Sequence, residues 1–342
     1  MLKASLIIKN LLTDLSPRQK EFLEERFGLN DGQKKTLQEL GDRHKITRER
    51  VRQIESEALK IAFQNFKKSD GVKFVDISKN HLKSLGGVRK EDDFVNDLKY
   101  VTGDNSLNKS QLKVLFAVAG NPIFYNEDEN FHGFWYLDRN FLKKADNFVG
   151  KSAKFFSSKK EDLISKNKLG DFLAQFVKSY GIKEPVALNY LAVSKKFGVN
   201  PYNDFGLSHW EEINPKTARS KAYLILKKNT KPLHFRDIAD VINKTGFDKK
   251  PVYAQTIHNE LIKDPRFVLV GRGIYTLKEH GYFPGTAKDV IRKILKDKGP
   301  LQQKQILELV AQQRFLKENT ILLNLQNRKQ FKRLQDGRYH LA

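Results

Sequence analysis

The sequence predicts a mainly α-helical chain with small β wings: a helix-turn-helix head followed by tandem winged-helix-like domains. Three observations carry the prediction. The first 68 residues string capped amphipathic helices together with short turns. The remainder repeats a Gly-containing aromatic stretch at Gly133, Gly206, Gly273 and Gly337, at intervals of 73, 67 and 64 residues. Each stretch follows a helix, a tight break and a second helix, and helix, short strand, two helices and a β wing is the winged-helix layout.

The head, residues 1–68, opens with MLKASLIIKNLLTDL. Its longest apolar run, Leu6-Ile7-Ile8, is broken by Lys9 and Asn10, so it reads as an amphipathic helix and not as a signal peptide. Ser16-Pro17 with Gln19 places a cap, a proline at the first helical position and a side chain that reaches back, opening a helix over Pro17–Phe27 that stops at Gly28. A turn at Leu29-Asn30-Asp31-Gly32 follows. Thr36 with Glu39 is a second capping box and opens Leu37–His44. Thr47 caps a third helix from Arg48 to about Phe63, and the short turn His44-Lys45-Ile46 makes the pair a helix-turn-helix.

At 100° per residue, Val51, Ile54, Ala58, Ile61 and Ala62 fall on one face of the third helix. Arg48, Glu49, Arg52, Gln53 and Ser56 fall opposite. Arg matches guanine edges, Gln adenine and Glu cytosine, so the outward face carries the side chains of major-groove readout. A solvated face of a core helix is the other reading of the same pattern; the position after a capped turn favours recognition.

The stretch LSPRQKEFLEERFGLNDGQKKTLQELGDRHKITRERVRQIESEALK resembles region four of bacterial primary sigma factors, most specifically across Thr47-Arg48-Glu49-Arg50-Val51-Arg52-Gln53-Ile54-Glu55. The resemblance implies binding to the −35 promoter element of double-stranded DNA and docking on the flap of the RNA polymerase β subunit. Carried over by position, Arg48, Glu49, Arg52 and Gln53 read bases, while Thr36, Thr47 and Arg50 contact phosphate or brace the motif. Lys45 stands where that family usually has Gly, and a non-Gly residue at positive φ costs on the order of 1 kcal/mol. Nothing before residue 16 or after residue 70 resembles the region that melts the −10 element, so a complete sigma factor is not expected.

The repeats divide the rest into winged-helix-like units at 70–138, 160–213, 217–282 and 286–342, the second being the weakest. Their breaks fall at Leu85-Gly86-Gly87-Val88, Tyr180-Gly181-Ile182, Lys231-Pro232-Leu233 and Gly299-Pro300-Leu301. The third unit, with Lys231-Pro232-Leu233-His234-Phe235 and Arg266-Phe267-Val268 leading to Gly271-Arg272-Gly273-Ile274-Tyr275, resembles the HARE-type winged helix. That family includes the amino-terminal domain of the polymerase δ subunit, and the resemblance implies a module that binds nucleic acid or protein.

Across 342 residues, 63 Lys+Arg against 40 Asp+Glu leave a net charge of +23, which calls for a polyanionic partner. Only 17 of the cations are Arg, and three of these fall at Arg48, Arg50 and Arg52. The absence of Cys excludes disulfides, a thiol nucleophile and thiolate metal sites. No run approaches the ~18 apolar residues of a membrane helix. Ala145 to Gly150-Lys151-Ser152 meets only the loosest phosphate-loop pattern and lacks the hydrophobic strand before it. Gly271-Arg272-Gly273 reads as a wing turn. The scattered His, and the acidic run Glu127-Asp128-Glu129, read as structural groups and a solvated hairpin tip. No catalytic set stands out.

The expectation is a cytoplasmic, nucleoid-located, non-enzymatic regulator of bacterial transcription, without cofactor or metal and without membrane attachment. It reads double-stranded DNA through the head and associates with RNA polymerase. Two alternatives stay open: an architectural nucleoid-associated protein that coats DNA without choosing sequence, and an accessory DNA-recognition subunit of a restriction-type system.

Overall fold

The computed structural model describes residues 2–30, 32–164, 169–247 and 250–342. Asp31 of the expected turn, residues 165–168 of the second repeat and residues 248–249 of the third lie outside the described residues. The chain forms two compact units, Met1–Gly198 with Phe205–Leu207, and Val199–Asp204 with Ser208–Ala342.

The first unit begins with α1 (Ala4–Leu11), α2 (Pro17–Phe27), α3 (Leu37–His44) and α4 (Arg48–Lys67). Each of the last three starts where its capping residue stands. The Ser16 and Thr36 hydroxyls accept from Gln19 N–H and Glu39 N–H, the Gln19 and Glu39 side chains accept from the cap backbones, and Thr47 Oγ1 accepts from Arg50 N–H. Phe22, Leu40, Val51 and Ile54 are buried together as the core of the helix-turn-helix. Each such side chain contributes roughly 1.5–3 kcal/mol when fully removed from water.

Next come α5 (Gly71–Ser84), β1 (Val88–Lys90), α6 (Glu91–Thr102), α7 (Lys109–Ala119), β2 (Ile123–Tyr125) and β3 (Phe134–Tyr136). The antiparallel sheet runs β1-β3-β2, with Val88 opposite Tyr136 and Ile123 opposite the same residue. Here α5, β1, α6 and α7 are followed by a hairpin whose second strand pairs with β1. Besides the small helix-turn-helix core, residues 1–68 contribute to a second, larger one. One apolar cluster runs from Ala4, Ile7 and Leu11 of α1 through Ala58, Ala62 and Phe66 of α4 to Leu112, Val114, Leu115 and Phe116 of α7 and Trp135 of β3. α4 extends four residues beyond Phe63, and its second half belongs to this shared core. The Ala4 N–H donates to the buried Asp104 carboxylate at 2.8 Å, which ties α1 to the loop before α7.

The unit continues with α8 (Arg139–Ser157), α9 (Lys160–Ile164), α10 (Leu169–Tyr180), α11 (Glu184–Val193) and the short strands β4 (Phe197–Val199) and β5 (Phe205–Leu207). The Gly150-Lys151-Ser152 segment lies inside α8, with Ser152 buried, so its amides are spent on the helix ladder.

The second unit holds α12 (Ala218–Lys228), β6 (Leu233–His234), α13 (Phe235–Thr245), α14 (Ala254–Lys263), β7 (Phe267–Gly271) and β8 (Ile274–Leu277), with sheet order β6-β8-β7. Gly271-Arg272-Gly273 is the turn between the last two strands. α15 (Ala287–Lys298), α16 (Gln303–Ala311), α17 (Glu318–Leu325), β9 (Phe331–Arg333) and β10 (Tyr339–Leu341) complete it. Leu301 bridges to Tyr339, supplying the first-strand position of a second such sheet. These two sets of helices have separate cores, one around Ile225, Ile238 and Ile257, the other around Ile291, Ile306 and Ile321.

Candidate nucleic-acid interface

The candidate surface is the first two turns of α4. Thr47 sits in extended backbone and satisfies the Arg50 N–H at 3.2 Å, so the helix begins at Arg48. Val51 and Ile54 are drawn into the core against Phe22 and Leu40. The helical period then leaves Arg48, Glu49, Arg52 and Gln53 together on the opposite side, all exposed. Ser56, on the same side of the wheel, is half-buried where α4 approaches α7.

Three of these four side chains have local partners. Arg52 Nε donates to both Glu49 carboxylate oxygens at 3.1 and 2.9 Å, and a terminal nitrogen donates to Oε1 at 2.6 Å. This two-pronged pair holds the Glu49 carboxyl below the usual carboxylate range and raises the Arg52 guanidinium. An Arg50 terminal nitrogen donates to Gln53 Oε1 at 3.1 Å. Both pairs are exposed, where such bonds exchange readily with water or with a ligand.

Thr36 and Thr47 are placed differently. Thr36 begins α3, and its hydroxyl and backbone N–H are both engaged with Glu39, at 3.1 and 2.7 Å. The backbone bond from Thr36 keeps the Glu39 carboxyl below its ordinary range. Both threonines thus stand at helix N-termini, where free amides and the helix dipole favour anions, but neither lies on the α4 reading face.

The turn that aims α4 depends on two residues. Lys45 adopts the left-handed conformation at φ 55°, and Ile46 N–H returns to Gly41 O at 2.9 Å. A Cβ on Gly41 would stand 2.8 Å from Ile46 O. The requirement for glycine therefore falls on α3, four residues before Lys45, which sequence reading did not single out. Arg26 was missed as well: it donates to Lys35 O at 3.0 Å and lies 3.5 Å from Glu55, joining α2 to the loop before α3 and to α4. Arg43 of α3 pairs with Glu25 of α2. Long-range pairs of this kind leave no local pattern in a sequence.

With this geometry in hand, comparison with known proteins is direct. Residues 11–60 match the family described as Sigma-70, region 4. The RNA polymerase sigma factor SigA of Microcystis aeruginosa is 51% identical over 53 residues, which are 16% of this chain and 13% of that protein. SigA of Clostridium acetobutylicum is 48% identical over 60 residues, 18% of this chain and 15% of its own length. The chloroplastic sigma factor sigF of Arabidopsis thaliana is 41% identical over 58 residues, 17% and 11% of the two chains. A region 4 helix-turn-helix domain is thus present at the start of the chain. The chain spans about an eighth of the length of the curated sigma factors it matches first. Among the described residues, no helix is long and apolar enough to cross a membrane.

Proposed function

We propose that this chain is a bacterial DNA-binding transcription regulator whose region 4 head reads a promoter-like sequence in the major groove and associates with RNA polymerase at the β flap. The exposed set Arg48, Glu49, Arg52 and Gln53 on a capped, well-anchored helix carries the reading. Arg52 grips guanine through two hydrogen bonds and Gln53 does the same with adenine, each worth roughly 1–3 kcal/mol of discrimination. Arg50, with Thr36 and Thr47 at the two helix starts, supplies phosphate contacts or braces the turn. The polymerase partner rests on the relatives' being sigma factors of that enzyme.

On this reading, residues 70–138, 160–213, 217–282 and 286–342 are accessory winged-helix-like domains, the third of HARE type, and the chain works by binding and not by catalysis. The Lys-rich charge favours a second reading, an architectural protein that covers DNA without selecting sequence. Selection of binding sites from random duplexes separates the two: an enriched motif like a −35 element supports the first, and an unenriched pool supports the second.

A further inference from the structure

The +23 charge is unevenly distributed along the chain, and so are the helices that could enter a groove. Residues 70–138 carry eight Lys+Arg against eleven Asp+Glu, a net −3 in a strongly basic protein. Their wing bears Glu127, Asp128 and Glu129, and α7, at the recognition-helix position, is buried against α1, α2 and α4, with Val114 and Leu115 fully enclosed. α11 is similarly used up. Its Asn189 donates to Leu85 O at 2.8 Å and to Val88 O, and its Tyr190 hydroxyl donates to Gly86 O at 2.8 Å. Both helices serve as internal joints of the first unit, leaving α4 as its reading helix.

Residues 286–342 are the opposite case, with thirteen Lys+Arg against five Asp+Glu. Five of those cations, Arg328, Lys329, Lys332, Arg333 and Arg338, lie on the β9–β10 wing and its approach, and all five are exposed. Arg338 is paired with Asp336 at 2.6 Å, and Arg333 donates to the Gly337 carbonyl at 3.4 Å. Arg328, Lys329 and Lys332 have no ion-pair partner among the described residues. Phe331 anchors the wing in its core, and a turn closing at Gly337 holds it as a tight hairpin.

We propose that this wing is a second, sequence-independent contact to duplex DNA, seated on phosphates beside or across a groove. The chemistry favours DNA over other polyanions. A lipid surface calls for exposed apolar anchors beside the cations, and residues 327–342 expose no large hydrophobic side chain. Single-stranded nucleic acid calls for an open aromatic platform, whereas Tyr339 is half-buried with the Arg333 guanidinium 5.9 Å from its ring centre. α17 exposes Asn319, Thr320 and Leu323 but only Lys317, at its cap, is a cation, so the wing and not the helix supplies the charge. This contact adds to the reading of the head and does not rest on it.

The test uses the full chain and a labelled random-sequence duplex, titrated by fluorescence anisotropy over a salt series. A variant carrying Arg328→Gln, Lys329→Gln, Lys332→Gln and Arg333→Gln should bind at least tenfold more weakly near 0.1 M salt. Its log–log salt slope should be shallower by about 3–4, since each lost phosphate contact removes about 0.9. A charge-keeping variant, Arg328→Lys with Arg333→Lys, should retain the slope, which guards against a misfolded wing. Lys73→Gln with Lys83→Gln, exposed cations of the acidic module, should leave it unchanged. An unchanged slope in the four-site variant overturns the proposal, as does a loss confined to single-stranded RNA or to phosphatidylglycerol vesicles. Enrichment of a motif from random duplexes reads the head alone and the salt slope of the four-site variant reads the wing, so failure of the head reading and failure of the wing are told apart.

Discussion

On the proposed function Arg52 carries specificity, and its guanidinium is exposed and paired with Glu49. Arg52→Ala is expected to reduce discrimination at one base pair by tenfold or more, in line with the loss of a two-bond contact to guanine. The melting temperature should stay within about a degree, since the exposed Arg52–Glu49 pair contributes little to stability. Competition binding against single-base variants of the selected site measures the first, and thermal denaturation the second. Equal weakening on specific and random duplexes would make Arg52 an ordinary phosphate contact. This face was legible in the sequence because a 100° period sorts Val51 and Ile54 from Arg48, Glu49, Arg52 and Gln53 without any tertiary knowledge. Ser56 lies on the side the wheel assigns it but is half-buried, beside the groove between α4 and α7, a tertiary feature the wheel does not carry.

At the scale of elements, the caps at Ser16, Thr36 and Thr47 fixed the starts of α2, α3 and α4 from local chemistry alone. The turn was only half readable. Lys45 was recognisable as a departure from Gly, and the structure holds it at φ 55°. Lys45→Gly should therefore stabilise the head by about 0.5–1 kcal/mol, the relief of left-handed strain less the added freedom of the unfolded chain. Gly41→Ala should destabilise it by roughly 1–3 kcal/mol, because the new Cβ meets a backbone carbonyl that must move. Denaturant titration of both variants checks the pair. Stabilisation by Gly41→Ala would show that the turn is free to open. The Gly41 requirement is invisible in one sequence, since it arises from the returning Ile46 and not from any neighbour in the chain.

At the scale of the molecule, the repeat of aromatic Gly stretches pointed to real strands, β3, β5, β8 and β10. The packing between modules was not readable. The apolar residues of α7 look the same in the sequence whether they face their own sheet or other helices, and in the structure they join α1 and α4 in one cluster. A contrast between two recognition-position helices follows. Val114→Asp on α7 places a charge in that core and should cost more than about 3 kcal/mol, abolishing the folding transition of the first unit. Leu323→Asp on α17, where the side chain is 67% exposed, should change stability by less than about 0.5 kcal/mol. Calorimetry of the full chain resolves both; a native-like transition in Val114→Asp would mean that α7 is free to leave the head.

The central claim is that α4 reads sequence, and selection from a random duplex library with the full chain, run in parallel with Arg52→Ala, tests it most directly. The account predicts that the wild-type chain enriches a short motif like a −35 element and that Arg52→Ala loses one guanine position of that motif while keeping the rest. A wild-type pool with no enriched motif, or a motif unaltered by Arg52→Ala and by Gln53→Ala, would contradict it.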